Sequence, residues 1–345
     1  MTTSALDPVQ VAVELMQVES TSGGEGEVVA VADRMLARRG WTTQRIPVTP
    51  GRDDLLATCG EAPLVTLSTH LDTVPPFIPP RVDGGRLYGR GACDAKGTAA
   101  AMICAAERLR AAGVPVALLF VVGEETSHDG ARAANASPLR PPTNVVLIDG
   151  EPTESALAVG TKGALRLRVA TRGRAAHSAY PHLGHSATAD LVRLLVEIDK
   201  LDLPRDPVLG ETTVNIGQLT GGVADNVIAP SAEARLMVRL VTPPEGVLAL
   251  IRGWIGDRAE LEVALAIPPV RLATVPGFGT SVVAYATDVP ELTDWGTPYL
   301  FGPGSIHVAH TPDEHIEIDE LRGAVGAYER LARKALEGRG ARSDE

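Results

Sequence analysis

Five short segments of this 345-residue chain carry aspartate, glutamate or histidine side chains, the types that bind metal ions and transfer protons. They are residues 69–75, 89–97, 122–125, 148–153 and 309–314, with the sequences THLDTVP, GRGACDAKG, VGEE, IDGEPT and AHTPDE. Hydrolysis of an amide at neutral pH needs a nucleophile made from water and a counter-charge for the oxyanion, and two divalent cations can supply both. Several carboxylates and neutral imidazoles must converge on one point, with one carboxylate left free as a base. The segments contain this set of groups, so they indicate a hydrolytic site with two metal ions.

Length and composition limit the class of protein. A chain of 345 residues with 44% hydrophobic content exceeds one typical domain, so roughly two domains are expected. The net charge of −11 and the lack of a basic run argue against nucleic acid as a partner. The first 16 residues lack a signal-peptide pattern, and no stretch approaches the ~18 uncharged residues of a membrane span. Three cysteines without CxxC spacing argue against disulfides and a thiolate zinc site, so we expect a cytoplasmic protein.

Helical and strand patterns alternate through the first 159 residues. Residues 25–39 and 96–112 repeat apolar side chains at helical spacing, and residues 64–67, 116–122 and 145–148 are apolar runs of strand length. This alternation predicts a mostly parallel sheet covered on both faces. His70, the Glu124–Glu125 pair and Glu151 each follow one of these strands. Because ligands bind at the carboxyl ends of such strands, these groups can form one site.

The pattern changes between residues 160 and 270. Residues 164–171, 212–217 and 232–241 alternate like half-buried strands, whereas residues 187–201 and 244–255 have helical periodicity. These elements predict a small α+β unit with an antiparallel sheet. Since His310 must rejoin the earlier groups, the unit is expected to be an insertion. We therefore predict an α/β catalytic domain from residues 1–159 and 271–345, ending in a long amphipathic helix over 319–336, with an inserted domain at 160–270.

The motifs occur in a familiar order. The chain resembles the di-zinc metallopeptidase family that contains acetylornithine deacetylase, succinyl-diaminopimelate desuccinylase, aminoacylase and glutamate carboxypeptidase. The resemblance covers nearly the whole length and rests on several separated motifs. It implies a zinc-peptidase catalytic domain with an inserted lid that also forms a dimer. It further implies two zinc ions as cofactors, with cobalt as a possible substitute.

The resemblance assigns roles within the catalytic domain. The metal ligands it implies are His70, Asp94, Glu125, Glu151 and His310, with Asp94 bridging the two ions. Glu124 matches the general base, and Asp72 matches a residue that orients the imidazole of His70. From the residues alone, Asp149 is an equal rival to Glu151 and His307 is a rival to His310. The resemblance favours Glu151 and His310.

Further candidates lie in the insertion and near the end of the chain. His177, in GRAAHS, matches a histidine that reaches the partner subunit's site and stabilises the oxyanion, which implies a homodimer. Asn226, in GGVADN, matches a substrate contact, and Arg239 stands where the family often places an arginine that binds a substrate carboxylate. Gly304 and Ser305 belong to a GPGS loop beside the site.

Two positions depart from the family's usual pattern. Ala95 replaces the methionine of a DMKG segment, and His185 replaces the asparagine of a GxNA segment. The residue at position 95 adjoins the bridging aspartate without binding metal, so its change should alter packing only. The change at position 185 affects the start of the lid helix and leaves the chemistry intact.

The activity implied by the resemblance is hydrolysis of the amide bond of a small N-acyl amino acid. Acetylornithine or acetyl-lysine is the nearest substrate type, which points to arginine or lysine biosynthesis. Glu124 would take a proton from a water shared by the two zinc ions and return it to the leaving amine. A dipeptidase or carboxypeptidase on the same site is the main alternative. A non-catalytic homologue would tolerate the loss of Glu124 or of a ligand, and none is missing; a hydrolase built on Cys93 would not need so many carboxylates.

Overall fold

The computed structural model describes residues 6–60 and 62–340, without the side chains of residues 339 and 340. The chain divides into two compact units. The first contains the described parts of Met1–Val159, Leu272–Ser281 and Thr287–Glu345, and the second contains Gly160–Arg271 and Val282–Ala286. The segment 282–286, which the sequence-based boundaries place in the catalytic domain, clusters with the second unit.

The helices and strands, numbered along the chain, have the following bounds. The α-helices are α1 (Pro8–Met16), α2 (Gly26–Arg38), α3 (Lys96–Ala111), α4 (Asp129–Ala136), α5 (Ala187–Leu195), α6 (Pro244–Ile255) and α7 (Ile318–Gly340). The strands are β1 (Thr42–Thr49), β2 (Arg52–Thr58), β3 (Val65–His70), β4 (Arg81–Asp83), β5 (Arg86–Tyr88), β6 (Val116–Val121), β7 (Val146–Asp149), β8 (Leu157–Thr161), β9 (Gly163–Arg172), β10 (Arg205–Asp206), β11 (Gly210–Glu211), β12 (Thr213–Gly221), β13 (Ser231–Leu240), β14 (Glu260–Ile267), β15 (Val270–Arg271), β16 (Thr280–Val283), β17 (Thr297–Leu300) and β18 (His315–Glu317).

The first unit is built on a six-stranded sheet in the order β1-β2-β6-β3-β7-β17. The four strands β6, β3, β7 and β17 are parallel to their neighbours within that group, and β2 joins them antiparallel. This arrangement confirms the prediction of a mostly parallel sheet. Strands β3, β6 and β7 are buried along their whole length, as expected where helices cover both faces.

Successive residues of β6 belong to two different cores. Leu118 and Phe120 pack in the larger core, which is completed by α1, α2, α3 and α7. Leu119 and Val121 pack in a smaller core with α4 and Trp295. Because side chains alternate across a strand, a continuous apolar run supplies both faces of the sheet. The strand and the helices around it therefore hold the carboxyl edge of the sheet in a fixed place.

The second unit has a four-stranded antiparallel sheet in the order β12-β13-β9-β14. Helices α5 and α6 supply Leu191 and Ile251 to a core that the alternate residues of β9 and β13 complete. This α+β architecture matches the prediction, but the expected helix over 187–201 ends at Leu195 and is followed by a short 3₁₀ turn at Ile198–Lys200. Strand β12 lies at one edge and is exposed along nearly all of its length.

In the described part of the chain, no helix combines the length and the apolar character needed to cross a bilayer. Cys59, Cys93 and Cys104 are all free thiols, as expected from their number and spacing.

Candidate metal centre

The carboxylate of Asp94 lies between two histidines. Its Oδ1 atom is 3.1 Å from Nε2 of His70, and its Oδ2 atom is 3.2 Å from Nε2 of His310. A second carboxylate stands near each imidazole: Glu151 Oε1 is 3.9 Å from His70 Nε2, and Glu125 Oε1 is 2.9 Å from His310 Nε2. Two sets of nitrogen and oxygen donors thus share one aspartate.

The donor atoms of each set fit a metal ion. One set is His70, Asp94 and Glu151, and the other is Asp94, Glu125 and His310; within each set the donor atoms lie within 4.8 Å of one another. Imidazole nitrogen and carboxylate oxygen are ligands that zinc accepts. The rival candidates fall outside both sets in the described part of the chain: the side chain of Asp149 is buried, and His307 is exposed.

The sheet brings these donors together from distant parts of the sequence. His70 is the last residue of β3, Glu125 follows β6 after a short turn, and Glu151 comes two residues after β7. In the sheet, His70 pairs with Val121 of β6, so the strand end that carries His70 lies beside the strand end that leads to Glu125. Asp94 lies two residues before α3.

The carboxylate of Asp72 joins the turn after β6 to the end of β3. Its Oδ1 accepts the backbone N–H of Glu124, and its Oδ2 accepts the backbone N–H of Glu125, each at 3.2 Å. Oδ2 also accepts the hydroxyl of Ser22 at 2.7 Å. Burial alone raises the pKa of Asp72, but hydrogen bonds, with that of His70 the strongest, hold its pKa below the ordinary value. Asp72 therefore remains a carboxylate and fixes the Glu124–Glu125 turn.

The imidazole of His70 is oriented through its Nδ1 atom. Nδ1 is 2.9 Å from the backbone carbonyl of Asp72 and 3.5 Å from Oδ1 of the same residue. Donation from Nδ1–H to these acceptors leaves the lone pair of Nε2 directed at Asp94 and Glu151. The sequence-based expectation named the carboxylate of Asp72 as the orienting group, whereas the backbone carbonyl is the nearer acceptor.

The loop that carries Asp94 is held by Glu314, a residue for which the sequence analysis predicts no role. The buried carboxylate of Glu314 lies 2.6 Å from Nη1 of Arg90 and accepts the backbone N–H groups of Cys93 and Asp94 at 3.3 Å. The signal in the sequence was its place at the end of the 309–314 segment. Its partners, more than 200 residues earlier in the chain, became visible only in the fold.

The GPGS loop packs against the segment that contains Glu151. Ser305 Oγ donates to Glu154 Oε1 at 2.7 Å, and the carbonyl of Gly304 accepts the backbone N–H of Glu154 at 2.9 Å. Gly304 has φ +87°, and a Cβ atom there would lie 2.6 Å from the Cβ of Cys93. Glycine is thus required where this loop passes the residue next to Asp94.

The side chain of Glu124 belongs to neither donor set in the described part of the chain. Burial raises the pKa of its carboxyl well above the ordinary value; His70 lowers it, while Asp288, Glu125 and Asp94 raise it further. Its Oε1 atom is 3.9 Å from Nδ1 of His128, which contacts Asp288. The sequence singled out neither His128 nor Asp288.

The remaining candidates lie in the second unit. His177 is exposed, and its Nδ1 accepts the backbone N–H of Ala179 at 3.2 Å, so in the neutral ring Nε2 carries the proton. Asn226 is its neighbour in space, because the backbone N–H of Ser178 donates to the carbonyl of Asn226 at 2.9 Å. Arg239 is half-buried on β13, opposite Ala164 of β9 and Thr213 of β12.

The chain has clear relatives among known proteins. Residues 66–334 match the model of peptidase family M20/M25/M40. A "Probable carboxypeptidase" of Aspergillus fumigatus is 39% identical over 379 aligned residues, covering 94% of this chain and 86% of that protein.

Two solved structures share the fold. A tripeptidase of Staphylococcus aureus has a TM-score of 0.78 at 20% identity, covering 96% of this chain and 99% of that one. A dinuclear metal binding peptidase of Bacillus subtilis has a TM-score of 0.69 at 16% identity, covering 96% and 98%. The match to the family model and the alignment with the Aspergillus protein both include the segments of the candidate metal centre. The chain therefore belongs to peptidase family M20/M25/M40 and is an amide-hydrolysing enzyme of the metallopeptidase kind.

Proposed function

We propose that the site binds two zinc ions, with cobalt as a working substitute, one at each donor set around Asp94. The observation that carries this proposal is the position of Asp94, whose two oxygens are directed at two different histidines. A peptidase of the same fold is described as dinuclear, which supports the same metal count here. When bound, the ions would polarise the substrate carbonyl and lower the pKa of a water molecule.

Glu124 is the general base in this proposal. Its turn is fixed by Asp72, and its carboxylate is left outside both donor sets. A raised pKa suits a group that must first accept a proton from the attacking water and then return it to the leaving nitrogen. Between the two proton transfers, the water oxygen adds to the carbonyl carbon and the C–N bond breaks, so the amide becomes a carboxylate and a free amine.

His177 is the proposed second donor to the oxyanion, supplied by a partner subunit. Its Nε2–H is exposed and available to donate, because Nδ1 is occupied as an acceptor. The exposed edge strand β12 supports assembly through the second unit, since Ile216 and Leu219 on it are 41% and 53% exposed. An unprotected edge of this kind is a template for pairing with another chain. The active unit is thus a homodimer formed through the inserted domain.

The proposed substrates share an amide bond next to a free carboxylate. Arg239 would bind that carboxylate, and Asn226, Gly304 and Ser305 would contact the rest of the substrate. An N-acyl amino acid and the last residue of a short peptide both present this pattern. One candidate substrate is acetylornithine or acetyl-lysine. Either would place the enzyme in arginine or lysine biosynthesis in the cytoplasm. Short peptides are the other candidate, supported by the similarity to a probable carboxypeptidase and to a tripeptidase.

A substrate panel tests this class directly. Purified protein, loaded with zinc or cobalt, is assayed on N-acetylated and N-succinylated amino acids and on dipeptides and tripeptides, each also as the C-terminal amide. We expect cleavage only of compounds with a free carboxylate, since the amide cannot form the charged pair with Arg239. Equal cleavage of acids and amides would contradict the proposed substrate class.

Replacement of the proposed base tests the mechanism. Glu124→Gln should keep the fold and the bound metal but lower kcat by about a hundredfold to ten-thousandfold, because an amide cannot accept the proton from water. Turnover is measured beside metal content and thermal unfolding. Activity within threefold of the parent enzyme would remove Glu124 from the role of base.

Mixing two inactive variants tests the shared site. His177→Ala should lose roughly a hundredfold to a thousandfold in rate by removing one oxyanion donor. A mixed dimer of His177→Ala and Glu124→Gln would contain one site with both an intact histidine and an intact base, so partial activity should return. Lack of activity after proven subunit exchange, or a fully active monomer in light scattering, would contradict the homodimer proposal.

A further inference from the structure

His128 occupies a backbone conformation that few residues other than glycine adopt. It has φ +55° and ψ +25°, in the left-handed region, at the N-terminal cap of α4. Glycine adopts this conformation without a steric penalty, and asparagine tolerates it. The backbone N–H of His128 donates to the carbonyl of Gly123 at 2.8 Å, a bond that any side chain would permit. The local fold therefore does not explain the presence of an imidazole.

The imidazole is buried beside the proposed base. The residue is only 4% exposed, and its Nδ1 atom lies 2.8 Å from Oδ1 of Asp288. The same Nδ1 atom is 3.9 Å from Oε1 of Glu124. Asp288 is itself buried, and it immediately precedes the 3₁₀ turn Val289–Glu291, which contacts α4. One ring edge is thus fixed to Asp288 and faces the Glu124 carboxylate.

The contact that fixes the backbone of Glu124 does not fix its carboxylate. Asp72 accepts the backbone N–H of this residue. From one fixed backbone position, the long side chain of a glutamate can occupy several rotamers. A rigid neighbour on one side restricts that choice, and a base must stay within hydrogen-bond reach of the proton it removes.

We propose that His128, anchored by Asp288, is a positioning residue that holds the carboxylate of Glu124 in its catalytic rotamer. This inference rests on the proposed role of Glu124 as the base. His128 makes no contact with substrate in this account, and its effect on the reaction passes entirely through Glu124. In this role, the buried ring, on a backbone with positive φ, forms a rigid wall beside the base.

Two replacements at position 128 separate the side chain from the backbone. His128→Gly suits the positive φ and removes the ring, whereas His128→Asn tolerates the same φ and keeps an N–H donor near the place of Nδ1. We expect His128→Gly to lower kcat by on the order of tenfold to a hundredfold, because a misplaced reacting group costs about that much. KM and metal content should stay within twofold of the parent, and His128→Asn should keep kcat within about threefold.

A control variant tests whether a lower kcat in His128→Gly comes from a weaker attachment of α4 to the 3₁₀ turn. Arg132 also links α4 to the 3₁₀ turn, through a 3.2 Å contact between its Nη1 and Oε1 of Glu291. Its side chain is half-exposed, and its Nη2 donates to the backbone carbonyl of Ser127 at 2.6 Å. Arg132→Ala should therefore leave kcat unchanged. If it lowers kcat as far as His128→Gly does, helix attachment explains the effect and the proposal is wrong.

The remaining outcomes are also decisive. The positioning role is contradicted if His128→Gly keeps kcat within twofold, or if His128→Asn loses as much activity as His128→Gly. Should His128→Gly fail to fold, Asp288→Ala leaves residue 128 intact, removes its anchor and carries the same expectation for kcat. Glu124→Gln is assayed in parallel: full activity in that variant overturns the proposed function itself. An inactive Glu124→Gln beside a fully active His128→Gly overturns only the positioning role.

Discussion

The crowding of buried carboxylates around Asp94 is the constraint on which the rest of the site depends. Asp94 and Glu151 are each 5% exposed, and burial raises the pKa of Glu151, with Glu124 and Asp94 raising it further. Two like charges 4 Å apart repel by about 4 kcal/mol at the effective dielectric constant of a partly buried site. His70 and His310 alone do not balance this charge when their nitrogens serve as neutral ligands. In the proposed centre, divalent cations at the two donor sets would resolve the conflict, and the same ions would supply the chemistry of amide hydrolysis.

A second layer of acceptors holds the metal-site groups in position. Asp72 fixes the turn that carries Glu124 and Glu125, and Glu314 fixes the loop that carries Asp94. Neither carboxylate belongs to a donor set in the described residues, yet each accepts two backbone N–H groups of the site. Such outer contacts orient ligands before the metal arrives. In our proposal His128 and Asp288 extend this layer to the catalytic base.

The sequence predicted the elements whose pattern is local. The apolar runs predicted the strands β3, β6 and β7. The helical spacing from Lys96 predicted α3, which ends at Ala111, one residue earlier than expected. His70, Glu125 and Glu151 could be anticipated because each follows a predicted strand, whereas Asp94 and His310 were named through the resemblance to the family. Residues alone could not separate Glu151 from Asp149, since both lie at the end of one strand. The fold places Asp149 as the last residue of β7 and turns Glu151 toward His70 two residues later.

Contacts between distant segments could not be predicted in the same way. His128 and Asp288 are 160 positions apart, and Arg90 and Glu314 are 224 apart. No periodicity or spacing connects such pairs. The resemblance to a family assigned roles only to residues that lie in the family's motifs. The left-handed backbone at His128 is likewise set by the turn after β6 and by the packing of α4, not by the propensity of histidine.

The most direct test of the account is the position of the metals in a crystal of the zinc-loaded enzyme. Diffraction data collected on both sides of the zinc absorption edge would locate each ion by its anomalous signal. We expect two peaks per chain, one between His70 and Glu151 and the other between Glu125 and His310, with one oxygen of Asp94 bound to each. A single peak at saturating zinc, or two peaks of which only one contacts Asp94, would contradict the shared-carboxylate centre.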